Sequence, residues 1–229
     1  MADDRIVRGM GEQARERKRL LDGGHAHVGW KVGLNAAEAQ EKAGIDASVV
    51  GFLTDATVLG SGAQYSLAGG QRVGIEPELA AHLVSDLDAE AAPEQVAEAI
   101  GAVGPAVEIV DVDRDFDELE AILAGNIFHR AVIFGEPDPK RAGGDLTGLV
   151  AEVRRNGSQE WTAAAAHGYE NLGAIVGGVA RRVGEVGETL RAGDRVIAGS
   201  LTPIEWVSPG DEIAVDFGRL GKLSVTFTP

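Results

Sequence analysis

The stretch Val73-Gly74-Ile75-Glu76-Pro77-Glu78-Leu79-Ala80-Ala81-His82-Leu83 sets two carboxylates one residue apart inside a run that otherwise reads as a buried strand. Alternate positions of a strand share a face, so Val73, Ile75, Pro77, Leu79, Ala81 and Leu83 make one mostly apolar side. Glu76 and Glu78 fall together on the other, with Cα atoms about 6.5 Å apart. Two carboxylates turned toward an interior repel each other and lose hydration unless a cation or protons intervene. A divalent ion resolves that conflict. A third carboxylate on a neighbouring strand would leave about half of an octahedral Mg²⁺ shell open to water or a chelating substrate. Glu108, in the apolar run PAVEIVDV (residues 105–112), is the natural candidate. The alternative places Glu-Pro-Glu on the wet side of an edge strand, where the N–H that Pro77 lacks is not missed.

Working outward, residues 5 to about 22 repeat apolar positions at helical spacing and stop at Asp22-Gly23-Gly24, which predicts an opening helix. HVGWKVGL (27–34) reads as a strand, AAEAQEKAG as a short helix, and Gly51 to Leu59 as another strand. Pro93 to Val103 reads as a helix with proline in its first turn. Asp115 and Glu118 have capping-box spacing ahead of the helix DFDELEAILAG. In AEVRRNGSQEWTA, Asn156-Gly157 predicts a type I′ hairpin. NLGAIVGGVARRVGEVG reads as a glycine-containing helix, and RVIAGS, DEIAVDFG and GKLSVTF as short strands. Mixed order without βαβ alternation predicts an α+β fold. The expected organisation is one catalytic domain over residues 1–229, with 1–26 as helix and lead-in and 27–229 as a β-rich core.

Composition narrows the chemistry. With 36 acidic against 21 basic side chains the net charge is −15, which disfavours nucleic acid and anionic membranes as partners. Arg15, Arg17, Lys18 and Arg19 are read as a solvated helix face. No cysteine is present, so a metal must be held by oxygen or imidazole. The charged N-terminus and the lack of long apolar runs lead to an expected cytoplasmic location. No G-x-G-x-x-G follows a strand, no Walker pattern occurs, and neither Ser200 nor Ser224 sits in a G-x-S-x-G elbow. Paired glycosidase acids are disfavoured because aromatic residues make up only 5% of the chain and adjacent strand positions reach one face of a bond poorly.

Taken in order, GWKVGLNAAEAQEKAGID, GIEPELA, GPAVEIVD, AGN (124–126) and LRAGDRVIAG followed by SPGDEIAVDFGRLGKLSVTF resemble the fumarylacetoacetate hydrolase superfamily. Within it the chain is similar to the 2-keto-4-pentenoate hydratase branch, through G-x-K-[IV]-G-L, E-x-E, P-A-[LI]-E-[VI]-V and the closing G-D-x-[FIV]-x-[AV] pattern, over Val28 to Phe227. The resemblance implies a mixed β-roll or barrel with peripheral helices around Mg²⁺ or Mn²⁺ held by Glu76, Glu78 and Glu108. It implies a lyase, a hydratase of a small 2-oxo or 2-hydroxydienoic acid such as 2-keto-4-pentenoate in aromatic or related catabolism, working through a metal-stabilised enolate. It further implies a homo-oligomer, with a decarboxylase as a possible partner subunit. Lys31 falls on the motif lysine, where an ammonium could hold the substrate carboxylate or move a proton; the blander account is a surface lysine.

The pattern also breaks. Val49 stands where the hydratases place an Asp, Gly125 replaces the Asp of A-D-N, and Ile197-Ala198-Gly199 replaces L-T-G. Altered chemistry or substrate is therefore expected, with Asp55 or His129 as substitute acid or base. A decarboxylase, an acylpyruvate-type hydrolase or a catalytically altered accessory protein are the alternatives. His25 and His27 have strand spacing for a metal, but no third ligand is near. His82 shares the glutamate face about 13 Å beyond Glu78, too far for the same ion. His167 is read as a cap or surface residue.

Overall fold

The computed structural model describes residues 3–164 and 171–229, so the expectation for His167 lies outside the described residues. These contain five α-helices: α1 (Asp4–Asp22), α2 (Ala37–Ala43), α3 (Pro93–Ala99), α4 (Leu119–Ala124) and α5 (Leu172–Gly184). The strands are β1 (His27–Gly33), β2 (Val49–Thr54), β3 (Val58–Leu59), β4 (Ala63–Ser66), β5 (Val73–Leu83), β6 (Ile100–Asp111), β7 (His129–Phe134), β8 (Val150–Arg155), β9 (Ser158–Ala164), β10 (Arg195–Ile197), β11 (Glu205–Trp206), β12 (Glu212–Asp216) and β13 (Lys222–Thr228). None of the described helices is long and apolar enough to cross a membrane.

The strands form two mixed sheets, as the α+β expectation requires. The first runs β2-β1-β10-β5-β6-β7-β3, with β11 also on β5; the second runs β4-β13-β12-β8-β9. β2 and β3 stand at opposite ends of the first sheet, yet a single turn at Asp55–Thr57 joins them. The sheet must therefore curl until its two edges meet, giving a half-barrel with an inside and an outside. The expected strand from Gly51 to Leu59 is accordingly split by that turn.

Strand parity sorts the two faces. Outward, Trp30, Val32, Ile75, Leu79, Val107, Ile109 and Val196 pack into one large cluster with Val153, Val215 and Val225 of the second sheet and Val176 and Val179 of α5. Inward, Leu53, Ala80, Ala106, Val132 and Ile197 come from five different strands and are each 0% exposed. Together these apolar side chains fill the interior of the curled sheet and plug it.

β5 is not an edge strand. It pairs with β6 from Val73 to Leu83, and on its other side with β10 and β11. Pro77 is tolerated because of where its nitrogen points. Its carbonyl accepts from Leu201 N–H at 2.8 Å, so nitrogen and carbonyl both face the segment between β10 and β11, away from the β6 ladder.

Two boundaries, those of α3 and α4, depart from the sequence reading. The helix at Pro93 ends at Ala99, because Ile100-Gly101-Ala102-Val103 extend β6 back along β5. α4 begins only at Leu119; the Asp115–Glu118 pair survives as Glu118 Oε1 accepting from Asp115 N–H at 3.3 Å in the preceding turn. α2 stops at Gly44 in the left-handed region. The hairpin holds, with Asn156 and Gly157 at φ 50° and 82°. So does the solvated face of α1 for Arg15, Lys18 and Arg19, which pair with Glu12, Asp22 and Glu16 of the same helix; Arg17 departs from that reading, its side chain lying over the Trp30 ring at 4.9 Å and pairing with Glu188.

Ile75 and Ile109 are directly opposed on the outward face, each 0% exposed. Replacing Ile75 by Ala should lower stability by about 2–5 kcal/mol. Urea unfolding checks this through a lower midpoint at unchanged slope.

Candidate metal centre

The site begins with register. Glu76 of β5 sits directly opposite Glu108 of β6, and cross-strand partners share a face. Glu78 lies two residues further on, so all three carboxylates enter the barrel interior above the apolar plug. One oxygen from each lies within 4.8 Å of the others. Glu78 and Glu108 are 0% exposed, while Glu76 keeps part of its surface toward a cavity.

The surroundings answer some of this negative charge. Lys31 of β1, itself 2% exposed, places Nζ 2.6 Å from Glu108 Oε1 and donates to Ile127 O at 2.9 Å. The surface-lysine reading of Lys31 is thereby set aside. His129 Nδ1 stands 2.7 Å from the same Oε1, and its Nε2 is 2.9 Å from Thr57 Oγ1. An ionised carboxylate can only accept, so Nδ1 carries the proton and Nε2 accepts from the Thr57 hydroxyl. Glu78 Oε2 accepts from Gly199 N–H at 2.7 Å.

Two local devices put the lysine there. Gly51 of β2 is opposite Lys31, and a Cβ on it would meet Lys31 Cγ at 2.9 Å and Asn126 Oδ1 at 2.6 Å. After α4, Asn126, Ile127 and Phe128 take φ of 59°, 54° and 63° in succession. Left-handed backbone costs roughly 1–2 kcal/mol per residue for most side chains, and here it aims the Ile127 carbonyl at Lys31. The Asn126 amide secures the turn by accepting from Phe52 N–H and donating to Phe52 O, both at 2.9 Å.

The protonation states follow from these contacts. Burial, then the charge of Glu108, pushes Glu76 up to about 7. Burial, Glu108 and Glu76 push Glu78 well above the carboxylate range. Burial works against charge on Glu108 too, but Lys31 and His129 outweigh it and hold the carboxyl below its usual value. His129 is lowered by burial despite Glu108, which keeps the imidazole neutral. Two buried oxygens, Glu78 Oε1 and Glu108 Oε2, have no partner at all. Buried polar atoms left bare are costly. Orphaned carboxylate oxygens beside a third carboxylate are the donor set of a hard divalent cation, so these residues fit one.

The other expected residues go elsewhere. Asp55 lies beyond the end of β2, about 13 Å along the chain from Gly51. It is half exposed and accepts from Ala26 N–H, both its contact there and that with His25 Nδ1 being 3.0 Å, so it is not brought to the carboxylates. His27 pairs with Asp194 at 3.3 Å, and the two histidines do not join a metal group. His82, on the glutamate face, is pushed down to about 4 by burial and then by Arg195. Val49 is 0% exposed and packs in the cluster that holds Leu34 and Ile127. Residues not singled out from the sequence include Thr57 behind His129 and Asn35, whose amide lies against Gly199; a Cβ there would come 2.2 Å from Asn35 Nδ2. The glycine in Ile197-Ala198-Gly199 was the only available signal for the latter.

Above the carboxylates opens a cavity of about 220 Å³ whose wall includes Lys31, Glu76, Gly199 and Ser200. A second cavity of about 510 Å³ against α5 has none of the three glutamates in its wall.

A half-barrel of this topology with three glutamates and a lysine inside defines a class, and the sequence profile described as fumarylacetoacetate (FAA) hydrolase C-terminal matches residues 25–228. The chain belongs to the fumarylacetoacetate hydrolase family. It is 29% identical over 220 residues to the 2-keto-4-pentenoate hydratase of Paraburkholderia xenovorans, covering 94% of this chain and 81% of that one. A 4-oxalocrotonate decarboxylase from a Pseudomonas species is 28% identical over 223 residues, covering 94% and 86%. The solved 4-oxalocrotonate decarboxylase from Pseudomonas putida G7, complexed with magnesium and adipate, superposes with a TM-score of 0.88 at 26% identity, covering 97% of this chain and 86% of that one.

A carboxyl whose pKa is raised by folding stabilises the protein below its unfolded pKa, and that contribution is lost as the pH climbs through the folded value. With Glu76 at about 7 and Glu78 shifted the same way, the metal-free protein should lose thermal stability from about pH 5 to pH 8. Thermal melts in chelator test this, and Glu76→Gln should flatten the profile.

Proposed function

We propose that this protein is a divalent-metal-dependent lyase, a hydratase of a small 2-oxo or 2-hydroxydienoic acid such as 2-keto-4-pentenoate. The observation that carries this is the pair of orphaned oxygens on Glu78 and Glu108 beside Glu76, at the foot of a cavity whose wall contains a buried lysine. The named hydratase and decarboxylase relatives give it chemical support.

Glu76, Glu78 and Glu108 would hold Mg²⁺ or Mn²⁺. When bound, such an ion supplies charge stabilisation for the enolate character of a 2-oxo acid. Lys31 is fixed by Glu108 and the Ile127 carbonyl with its ammonium at the cavity wall, where it binds the substrate carboxylate and handles the proton. His129 has a different task from the acid or base role expected of it. Both of its nitrogens are engaged and it is no part of the cavity wall, so it acts as a positioning residue that turns Glu108 Oε2 toward the site. Asp55, held at the surface by His25, has no part in this scheme. The plug of apolar residues keeps water from reaching the carboxylates from below.

The whole chain acts as one catalytic unit in this reading, supported by the apolar cluster shared between the two sheets. On the family resemblance we assign it to the cytoplasm, to aromatic or related catabolism and to a homo-oligomer, with a decarboxylase as the partner to look for. Decarboxylation through the same enolate is the second reading, favoured by the close superposition on the solved decarboxylase.

The direct test follows loss of dienol ultraviolet absorbance on 2-hydroxypenta-2,4-dienoate with Mg²⁺. Activity should vanish with chelator and return with Mg²⁺ or Mn²⁺. Release of CO₂ from a 2-oxo-dienedioate without hydration of the dienoate would replace this reading with the decarboxylase. His129→Leu should weaken Mn²⁺ binding by about 10–100-fold, while His129→Asn, which keeps an N–H near Glu108, should recover most of it. Calorimetric titration of both variants measures the difference, and equal affinities would remove the positioning role.

A further inference from the structure

α1 ends at Asp22, ahead of residues 25–228 that match the family. Its buried residues are Gly9, Met10 and Gln13. Gln13 is 4% exposed, and an amide hidden on an otherwise apolar helix face needs a partner. That partner is a backbone carbonyl 110 residues away: Gln13 Nε2 donates to Leu123 O at 3.0 Å. Gly9 makes the approach possible. A Cβ there would come 2.7 Å from Glu120 O and 2.7 Å from Leu123 Cβ, so α1 lies directly on α4.

Leu123 O belongs to the last turn of α4, where carbonyls have no helical partner of their own. It also accepts from Asn126 N–H at 3.0 Å, while Ile127 N–H reaches back to Ile122 O at 2.8 Å. Gln13 therefore holds the carbonyl to which the first of the three left-handed residues is tied. One residue further on, Ile127 O accepts from Lys31 Nζ at 2.9 Å, and that ammonium lies 2.6 Å from Glu108 Oε1. The same helix also bears on the strand that carries the lysine. Arg17, paired with Glu188 at 2.7 Å, lies 4.9 Å over the ring of Trp30, the neighbour of Lys31 on β1. α1 thus touches both supports of Lys31, the turn whose carbonyl it donates to and the strand it projects from.

We infer that Gln13 is a positioning residue for Lys31, acting through Leu123 O and the turn at residues 126–128, which makes α1 a working part of the site. This rests on the proposed reading of Lys31 as the group that binds the substrate carboxylate. Successive left-handed residues keep their conformation only where the surroundings over-determine it. The Asn126 amide grips the Phe52 backbone on one side, and Gln13 fixes the end of α4 on the other. Without the Gln13 donor the Ile127 carbonyl is freer to turn. Lys31 then loses a fixed acceptor while Glu108 stays in place.

The test uses the whole protein and the variant Gln13→Met, which keeps the length of the side chain and removes the donor. Lys18, Lys31, Lys42, Lys140 and Lys222 are the only lysines in the chain, and Lys31 alone is buried. In ¹⁵N-lysine-labelled protein its ammonium should give a nuclear magnetic resonance signal that survives solvent exchange, unlike those of the four exposed lysines. Gln13→Met should shift or broaden that signal and weaken pyruvate binding in Mg²⁺, measured by calorimetry, on the order of tenfold. Val225→Ala, in the second sheet and away from the contact between α1 and α4, controls for general loosening. It should lower the unfolding midpoint and leave both readouts unchanged. An unaltered signal and affinity in Gln13→Met, or equal losses in Val225→Ala, would overturn the positioning role. If the wild-type protein does not bind pyruvate, the 2-oxo acid reading falls, and the lysine signal alone decides whether Gln13 positions Lys31. Gly9→Ala, which pushes α1 away from α4 without removing a polar group, supplies the same comparison if Gln13→Met does not fold.

Discussion

Three carboxylates share the inside of one curled sheet, and the environment of the site is organised around making that tolerable. Glu76, Glu78 and Glu108 converge because β5 and β6 pair with the first and last of them opposed. A buried ammonium, a neutral histidine and one backbone N–H answer part of the charge. They do so on two oxygens, Glu108 Oε1 and Glu78 Oε2, and leave the opposite oxygen of each bare. The uneven satisfaction is informative: an electrostatic conflict resolved entirely within the protein would leave no orphaned acceptors, since such atoms are costly in a dry interior.

The barrel supplies the rigidity this needs. Inward apolar residues from five strands close its interior beneath the carboxylates, and the outward face is locked by a continuous apolar cluster against the second sheet and α5. Strain is concentrated in the turn at Asn126-Ile127-Phe128, where three consecutive left-handed residues turn a carbonyl toward Lys31. A turn of this kind persists only if its surroundings over-determine it. The Asn126 amide, gripping the Phe52 backbone at both its oxygen and its nitrogen, does so here.

Departures from the hydratase pattern now have physical content. Val49 joins an apolar cluster with Leu34 and Ile127, so this spot contributes packing where relatives of the branch have a carboxylate. His129 does not replace that carboxylate; it lies behind Glu108 and is tied to Thr57. Lys31 is the one cation in the cavity wall among the described residues.

Local pattern was enough to identify the strand nature of Val73–Leu83, the shared face of Glu76 and Glu78, the Asn156-Gly157 hairpin and the opening helix, because parity, turn chemistry and helical spacing act over a few residues. The apolar strand around Glu108 already made it the natural third carboxylate, and the ordered motifs supplied the family and through it Lys31. Strand neighbourhood was not legible: Pro77 suggested an edge, and only the gap between β10 and β11 shows how a central strand accommodates it. Nor was Ile100–Val103 readable as strand, because its conformation comes from pairing with β5 rather than from its own propensity. Asp55 and His129 both lie close in sequence to altered positions, yet one reaches the surface and the other Glu108. Curling of the sheet, which brings distant edges together, decided between them, and that closure is a property of the assembled strands rather than of any segment.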